Sequence, residues 1–263
     1  MHHRNLFPAL IVLLLSLTAN AQRKPDLKAL DAYIAKAVSD FGQPGLAVGV
    51  VQNGNLIWSK GYGRLDVNKP DPVTPNSVFF LASMSKAFTA CAIGLLVDQG
   101  KLSFDDPVRK YLPDFATPDA YVTEHFLIRD LLCHRSGWAT FDGDLLWYGT
   151  HYTQKEILAR HAQEPFTYGF RTQFGYSNLM LIAAAQVIEH VSGMTWDQYI
   201  STHILNPLGM TRTRVETAEL AKMTDVAMPH LHRGQDPKAP LMSMPYQPLQ
   251  GADGATGINS CVT

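Results

Sequence analysis

The chain has 263 residues, of which 46% are hydrophobic and 17% charged, and a formal net charge of −1. That length allows one large domain or two lobes with a sizeable core, and a near-neutral chain without a basic run offers no electrostatic basis for binding nucleic acid or an anionic membrane. The three cysteines, Cys91, Cys133 and Cys261, cannot all pair within one chain and so indicate no disulfide framework; two lie in apolar helical surroundings and are expected as small core residues.

The chain opens on a short basic start, Met1–Arg4, then the almost wholly apolar Leu6–Leu17, then Ala19-Asn20-Ala21 with small residues at −3 and −1. This predicts a secretory signal peptide cleaved after Ala21, and so a secreted or periplasmic protein, because the apolar run falls short of the ~20 residues needed to span a bilayer. Residues 22–263 are expected to form the functional domain, with a helical lobe over roughly 101–250. Pro25 to Phe41 reads as an amphipathic helix with Leu27, Leu30, Ile34, Ala37, Val38 and Phe41 on one face. Gly45–Val51 is a continuous apolar run, expected as a buried strand, and Asn53-Gly54 is a strong hairpin signal that returns Leu56–Tyr62 antiparallel to it. Asp66–Pro75 is a loop. Phe79-Phe80 then leads into a helical pattern in which Met84, Ala87, Phe88, Cys91, Ala92, Leu95 and Leu96 form the expected core stripe.

Beyond Gly100 the pattern is helical and loopy. Short helices are predicted at Val108–Leu112 and Ile128–Leu132, and Thr153–Ala162 starts with a capping box formed by Thr153 and Glu156. Asn178 is the expected N-cap of the strongly apolar Leu179–Val191, which Gly193 ends; Trp196–Ile204 is one more helix. The last fifty residues show no evident strand, only the glycine-rich turn Gly251–Gly257. A helix, a hairpin and a central helix suggest an α+β fold in which helices cover a sheet.

Ser83 and Lys86 fall at the strand-to-helix junction. Ser83 there meets the unpaired N–H groups and positive dipole end of a helix, and Lys86, three residues on, shares its face. Burial near that positive end should lower the Lys86 pKa and make it a plausible base for the serine hydroxyl. Tyr176 and Asn178 form a second element, because residues i and i+2 of an extended segment point the same way. Gly175-Tyr176-Ser177-Asn178-Leu179 nearly matches the G-x-S-x-G elbow but lacks its closing glycine, which disfavours Ser177 as nucleophile. His134 reads as a structural loop residue. The pairs His230-Leu231-His232 and Cys133-His134 make no metal motif, and there is no phosphate loop.

Ser83-Met84-Ser85-Lys86, Leu131–Gly137 and Phe174-Gly175-Tyr176-Ser177-Asn178, extended by Gly193 and Pro207–Thr211, together resemble the β-lactamase-related serine hydrolases. These include class C β-lactamases, D-alanyl-D-alanine carboxypeptidases and related esterases. The resemblance implies a β-lactamase/penicillin-binding-protein-like α+β fold, an antiparallel sheet flanked by helices with a mostly helical lobe. It implies Ser83 as acylated nucleophile, with its backbone N–H as one oxyanion donor. Lys86 and Tyr176 would be a coupled general base, and Asn178 would orient Lys86 and the substrate. The implied substrate is a small molecule or peptide, with no cofactor, metal or nucleic-acid partner; the alternative is a non-catalytic sensor or binding module. The family's late Lys/His–Ser/Thr–Gly triplet is not found in a strand after Asn178, so the sequence is expected to be C-terminally incomplete.

Overall fold

A computed structural model of the chain describes residues 25–234, 239–246, 249 and 251–263. The expected leader and its cleavage point lie outside the described residues. The chain divides into two compact units, residues 1–42 and 43–263. In the first, helix α1 (Leu27–Asp40) is capped by Asp26, whose carboxylate accepts a hydrogen bond from the Ala29 N–H at 2.9 Å. Of its expected apolar face only Ile34 is buried, and Phe41 is 77% exposed.

In the second unit β1 (Gly45–Gln52) and β2 (Asn55–Gly63) form the expected hairpin. Asn53 and Gly54 both take positive φ, +51° and +76°, as a tight turn matched to right-handed strand twist requires. The strand is not buried as its apolar run suggested: Val51 is 67% exposed and every other residue of the strand is half-buried or open. Unbroken apolar runs mark strands covered on both faces, whereas β1 belongs to a two-stranded ribbon. Three short strands also occur late in the chain, where none was expected. β4 (His230–His232) pairs with β5 (Leu241–Ser243), and β6 (Asn259–Ser260) pairs antiparallel with β3 (Phe79–Phe80). Segments of two or three residues are too short to carry a period-2 pattern.

The helices are α2 (Ser85–Asp98), α3 (Ala120–His125), α4 (Ile128–Leu132), α5 (Gln154–His161), α6 (Asn178–Ser192) and α7 (Trp196–Ile200), the last continuing as a π-type turn over Ser201–Leu205. Helix α6 is buried over most of its length, with Gln186, Glu189 and His190 on its less buried side, and α2, α4, α5 and α7 pack on it. No described helix is long and apolar enough to cross a membrane. The N-cap of α6 is Ser177, not Asn178: the Ser177 hydroxyl accepts from the Met180 N–H at 3.4 Å. Gly193, at φ +71°, ends the helix.

The buried face of α2 differs from the expected stripe. It consists of Ser85, Thr89, Ala92, Ile93 and Leu96, while Met84 is 67% exposed and Cys91 is exposed. Two polar residues can be buried because each has a backbone partner. The Ser85 hydroxyl accepts from the Ile258 N–H at 3.1 Å, and the Thr89 hydroxyl donates to the Gly254 carbonyl at 2.7 Å. Cys133 is likewise exposed, Cys261 is half-buried, and all three thiols are free, so none is the core residue expected.

His161, at the end of α5, is buried against Trp138, ring centroids 4.1 Å apart, and neither ring nitrogen has a hydrogen-bond partner. Burial pulls its pKa down to about 4, with Asp142 opposing weakly. Because the folded value lies below the unfolded one, stability present above pH ~6.5 should be lost as pH falls towards 4, by up to about 3 kcal/mol from this group. Chemical denaturation of the wild type and His161→Leu between pH 7 and 4 should show a shallower acid slope for the variant; equal slopes would contradict this.

Candidate active site

The Ser83 turn is clamped by the chain's late segment. Phe79 and Phe80 pair with Ser260 and Asn259, the Leu81 N–H donates to the Ile258 carbonyl at 2.9 Å, and Ser85 holds the Ile258 N–H. Ala82, immediately before the serine, adopts φ +47°. That left-handed conformation costs an L-residue about 1–2 kcal/mol and turns the chain sharply from strand to helix. Ser83 itself is exposed, in a 3₁₀ turn over Ala82–Met84 that runs directly into α2.

The opposite wall is the segment 174–178, threaded against the loop 134–141. The Gly175 N–H donates to the His134 carbonyl at 2.9 Å, the Tyr176 N–H to the Thr140 hydroxyl at 3.1 Å, and the Phe141 N–H to the Tyr176 carbonyl at 2.8 Å. A side chain at Gly175 would sit 2.0 Å from the Trp138 carbonyl oxygen, so only glycine permits this approach. Behind it, Arg171 makes a two-pronged ion pair with the buried Asp130, Nε–Oδ1 2.9 Å and a second nitrogen to Oδ2 at 2.6 Å. The same carboxylate accepts from the Leu127 N–H at the start of α4. That bidentate pair ties the loop before Tyr176 to the helix before His134.

His134 takes φ +57° and stacks on Tyr176, centroids 4.4 Å apart and planes 26° from parallel. Its Nδ1 accepts from the Ser177 N–H at 3.2 Å, which requires the neutral ring with its proton on Nε2. Burial, and then the charge of Lys86, lower the His134 pKa and favour that neutral form. It lies in a loop, as expected, with its ring against Tyr176 and its Nδ1 held by the backbone.

Lys86 brings the walls together. Its Nζ donates to Ser83 Oγ at 3.0 Å, to Asn178 Oδ1 at 2.7 Å and to the Ala255 carbonyl at 2.8 Å, and it lies 4.9 Å from the centre of the Tyr176 ring. Burial lowers its pKa, against the opposing effects of Tyr176 and Asp144. All four residues singled out from the sequence therefore meet around one ammonium nitrogen. Ser177 does not join them: it is 1% exposed and occupied as a helix cap. His230 lies elsewhere, its Nε2 accepting from the Val67 N–H at 3.1 Å. Among the described residues no group of three or more His, Cys, Asp or Glu is arranged to hold a metal ion.

Two further contacts had no recognised sequence signal. One is the Ala255 carbonyl, which belongs to the glycine-rich turn. The other is Asp144, in a 3₁₀ turn over Asp144–Leu146, whose Oδ2 accepts from Asn178 Nδ2 at 2.8 Å and whose Oδ1 accepts from Trp147 Nε1 at 3.0 Å. Asp144 lies in the aromatic stretch Asp142–Tyr148, which carries no recognised motif.

A helix headed by a serine with lysine three residues on, packed on a buried central helix and bordered by antiparallel strands, is the β-lactamase/penicillin-binding-protein fold. The chain belongs to the Beta-lactamase family, whose model matches residues 30–263. It is similar to an unguisins hydrolase of Aspergillus campestris, 32% identical over 226 residues, which cover 82% of this chain and 42% of that protein. Among solved structures it is similar to the octameric penicillin-binding protein homologue of Pyrococcus abyssi, with TM-score 0.77 and 28% identity over 90% of this chain and 54% of that one. It is also similar to the D-amino acid amidase of Ochrobactrum anthropi, with TM-score 0.73 and 25% identity over 89% and 67% of the two chains. The chain spans less than half the length of the curated relatives it matches.

Proposed function

We propose that the protein is an exported serine hydrolase that forms an acyl-enzyme on Ser83 and acts on β-lactams, D-amino-acid peptides or amides, or small esters. The hydrogen bonding of Lys86 carries this reading. Two of its three partners, Asn178 Oδ1 and the Ala255 carbonyl, can only accept. A neutral amine has two N–H bonds for those two acceptors and one lone pair left over. That lone pair can take the proton of Ser83 Oγ, 3.0 Å away, to which the charged amine donates. Burial favours the neutral amine.

In the proposed reaction the Ser83 hydroxyl gives its proton to Lys86 as its oxygen attacks the substrate carbonyl. The resulting oxyanion is held by the Ser83 N–H. Tyr176, beside the amine, then delivers a proton to the leaving nitrogen or oxygen, and water clears the acyl group with the same pair acting in reverse. The leader sequence supports export, and the likeness to a D-amino acid amidase supports including D-configured amides among the substrates.

Turnover of an activated ester, a D-amino acid amide and a chromogenic β-lactam should be measured with wild type, Ser83→Ala and Ser177→Ala. At least one substrate should be hydrolysed by the wild type and by Ser177→Ala, while Ser83→Ala should lose about 10⁴-fold or more. Hydrolysis that survives Ser83→Ala, or no hydrolysis of any of the three, would overturn the reading.

A further inference from the structure

We propose that Asp144 is a positioning residue for this chemistry, one that locks the Asn178 amide in the orientation Lys86 needs and sets the charge Lys86 feels across it. The inference rests on the reading of Lys86 as base. An asparagine side chain presents an oxygen on one edge and an NH₂ on the other, and the wrong orientation would aim two donors at a lysine that has only donors when charged. What fixes the orientation is the partner on the far side. Asp144 receives a hydrogen bond on each carboxylate oxygen, from Trp147 Nε1 at 3.0 Å and from Asn178 Nδ2 at 2.8 Å. An ionised carboxylate cannot donate, so it accepts only the NH₂ edge of Asn178. The amide oxygen then faces Lys86 Nζ at 2.7 Å. Asn178 is free for this task because Ser177 caps the helix in its place.

The result is a chain running carboxylate, amide, amine, hydroxyl from Asp144 to Ser83. Such a chain polarises along its length, each hydrogen bond strengthening the next. Its far end carries a full negative charge. Three titratable groups face Lys86: Tyr176 from the segment before α6, Asp144 from the 3₁₀ turn, and His134 from the loop after α4. Tyr176 and Asp144 favour the charged amine while burial opposes it. Around Asp144, burial raises the carboxyl pKa, and the bonds from Trp147 and Asn178 and the charge of Lys86 hold it down.

Two variants separate orientation from charge. In Asp144→Asn the new amide oxygen can still accept from Asn178 while its NH₂ edge replaces the oxygen that held Trp147 Nε1, so the contact to Asn178 is kept and the charge and the Trp147 bond are lost. In Asp144→Leu the contact to Asn178 is lost as well. The Lys86 ammonium is titrated by NMR in protein labelled at lysine Cε, assigned with Lys86→Arg, and Ser83 acylation by an activated ester is followed against pH. Asp144→Asn should move the Lys86 titration and the acid limb of acylation together to lower pH, with the plateau rate kept within a few-fold. Asp144→Leu should lower the plateau by about tenfold to a hundredfold, the scale for a misplaced catalytic group. A Lys86 titration unmoved in Asp144→Asn, or an unreduced plateau in Asp144→Leu, overturns the inference. The NMR titration needs no turnover, so it decides the matter even if the wild type fails to acylate, an outcome that would count against the proposed function instead.

Discussion

Replacing Lys86 with methionine should slow acylation of Ser83 by about 10³-fold, within the 10²–10⁴ that general-base catalysis supplies. Methionine keeps an unbranched stem but ends at Cε, so it has neither lone pair nor N–H at the position of Nζ. The serine hydroxyl then has nowhere to send its proton. The substitution also strips the donor from Asn178 Oδ1 and from the Ala255 carbonyl, and each part-buried acceptor left alone costs about 1–3 kcal/mol. Because burial holds the Lys86 pKa below its ordinary value, the wild-type acylation rate should rise with pH as the amine deprotonates and then level off. In Lys86→Met that limb should vanish along with the rate. Stopped-flow acylation at several pH values, with thermal unfolding as the fold control, checks both. A variant that acylates within tenfold of the wild type and keeps its pH limb would remove Lys86 as the base.

The second large effect is expected from the glycine-rich turn, where fold and chemistry share one loop. Gly254 has φ +87°, and a Cβ there would lie 2.3 Å from the Leu181 carbonyl oxygen and 2.8 Å from the Ala185 side chain, both on α6. Gly254→Val adds left-handed backbone strain of about 1–3 kcal/mol to overpacking of similar size, for a loss of roughly 3 kcal/mol or more. The turn must also move away from α6. Its Gly254 carbonyl holds Thr89, and its Ala255 carbonyl holds Lys86. Activity should therefore fall by more than the unfolded fraction accounts for. Gly94→Ala is the matched control: it lies within α2 with nothing within 4 Å of the added carbon, and replacing a mid-helix glycine should stabilise by up to about 1 kcal/mol. Denaturant midpoints and turnover for the two variants make the comparison. A Gly254→Val protein as stable as the wild type would show that the turn is not seated on α6 as described.

Much of this was legible in the sequence wherever a local rule operates. The Asn53-Gly54 hairpin, the capping box of Thr153 and Glu156, and the glycine stop at Gly193 all follow from backbone preferences within a few residues, and the structure keeps them. Spacing on a helix paired Ser83 with Lys86, and the resemblance of the ordered motifs to the β-lactamase-related hydrolases joined them to Tyr176 and Asn178; Asn178 in fact opens α6 and does not continue an extended segment. What was hidden depends on partners far along the chain. The buried face of α2 turns on Ser85 and Thr89, polar residues that only the carbonyl and N–H groups of Gly254 and Ile258 make tolerable inside. The same distant pairing lets β6 exist with two residues. Asp144 reaches the site through Asn178, 34 positions away, and no local pattern announces such a contact. The choice of Ser177 over Asn178 as helix cap is a one-residue distinction between two good capping types, and it is settled by Lys86 claiming Asn178.

The most direct measurement is intact-protein mass spectrometry after brief reaction with a fluorophosphonate or a slowly released ester, followed by digestion to locate the added mass. The account expects one adduct per chain, on the peptide carrying Ser83, absent from Ser83→Ala and unchanged in Ser177→Ala. An adduct on any other residue, or one that persists in Ser83→Ala, would contradict it.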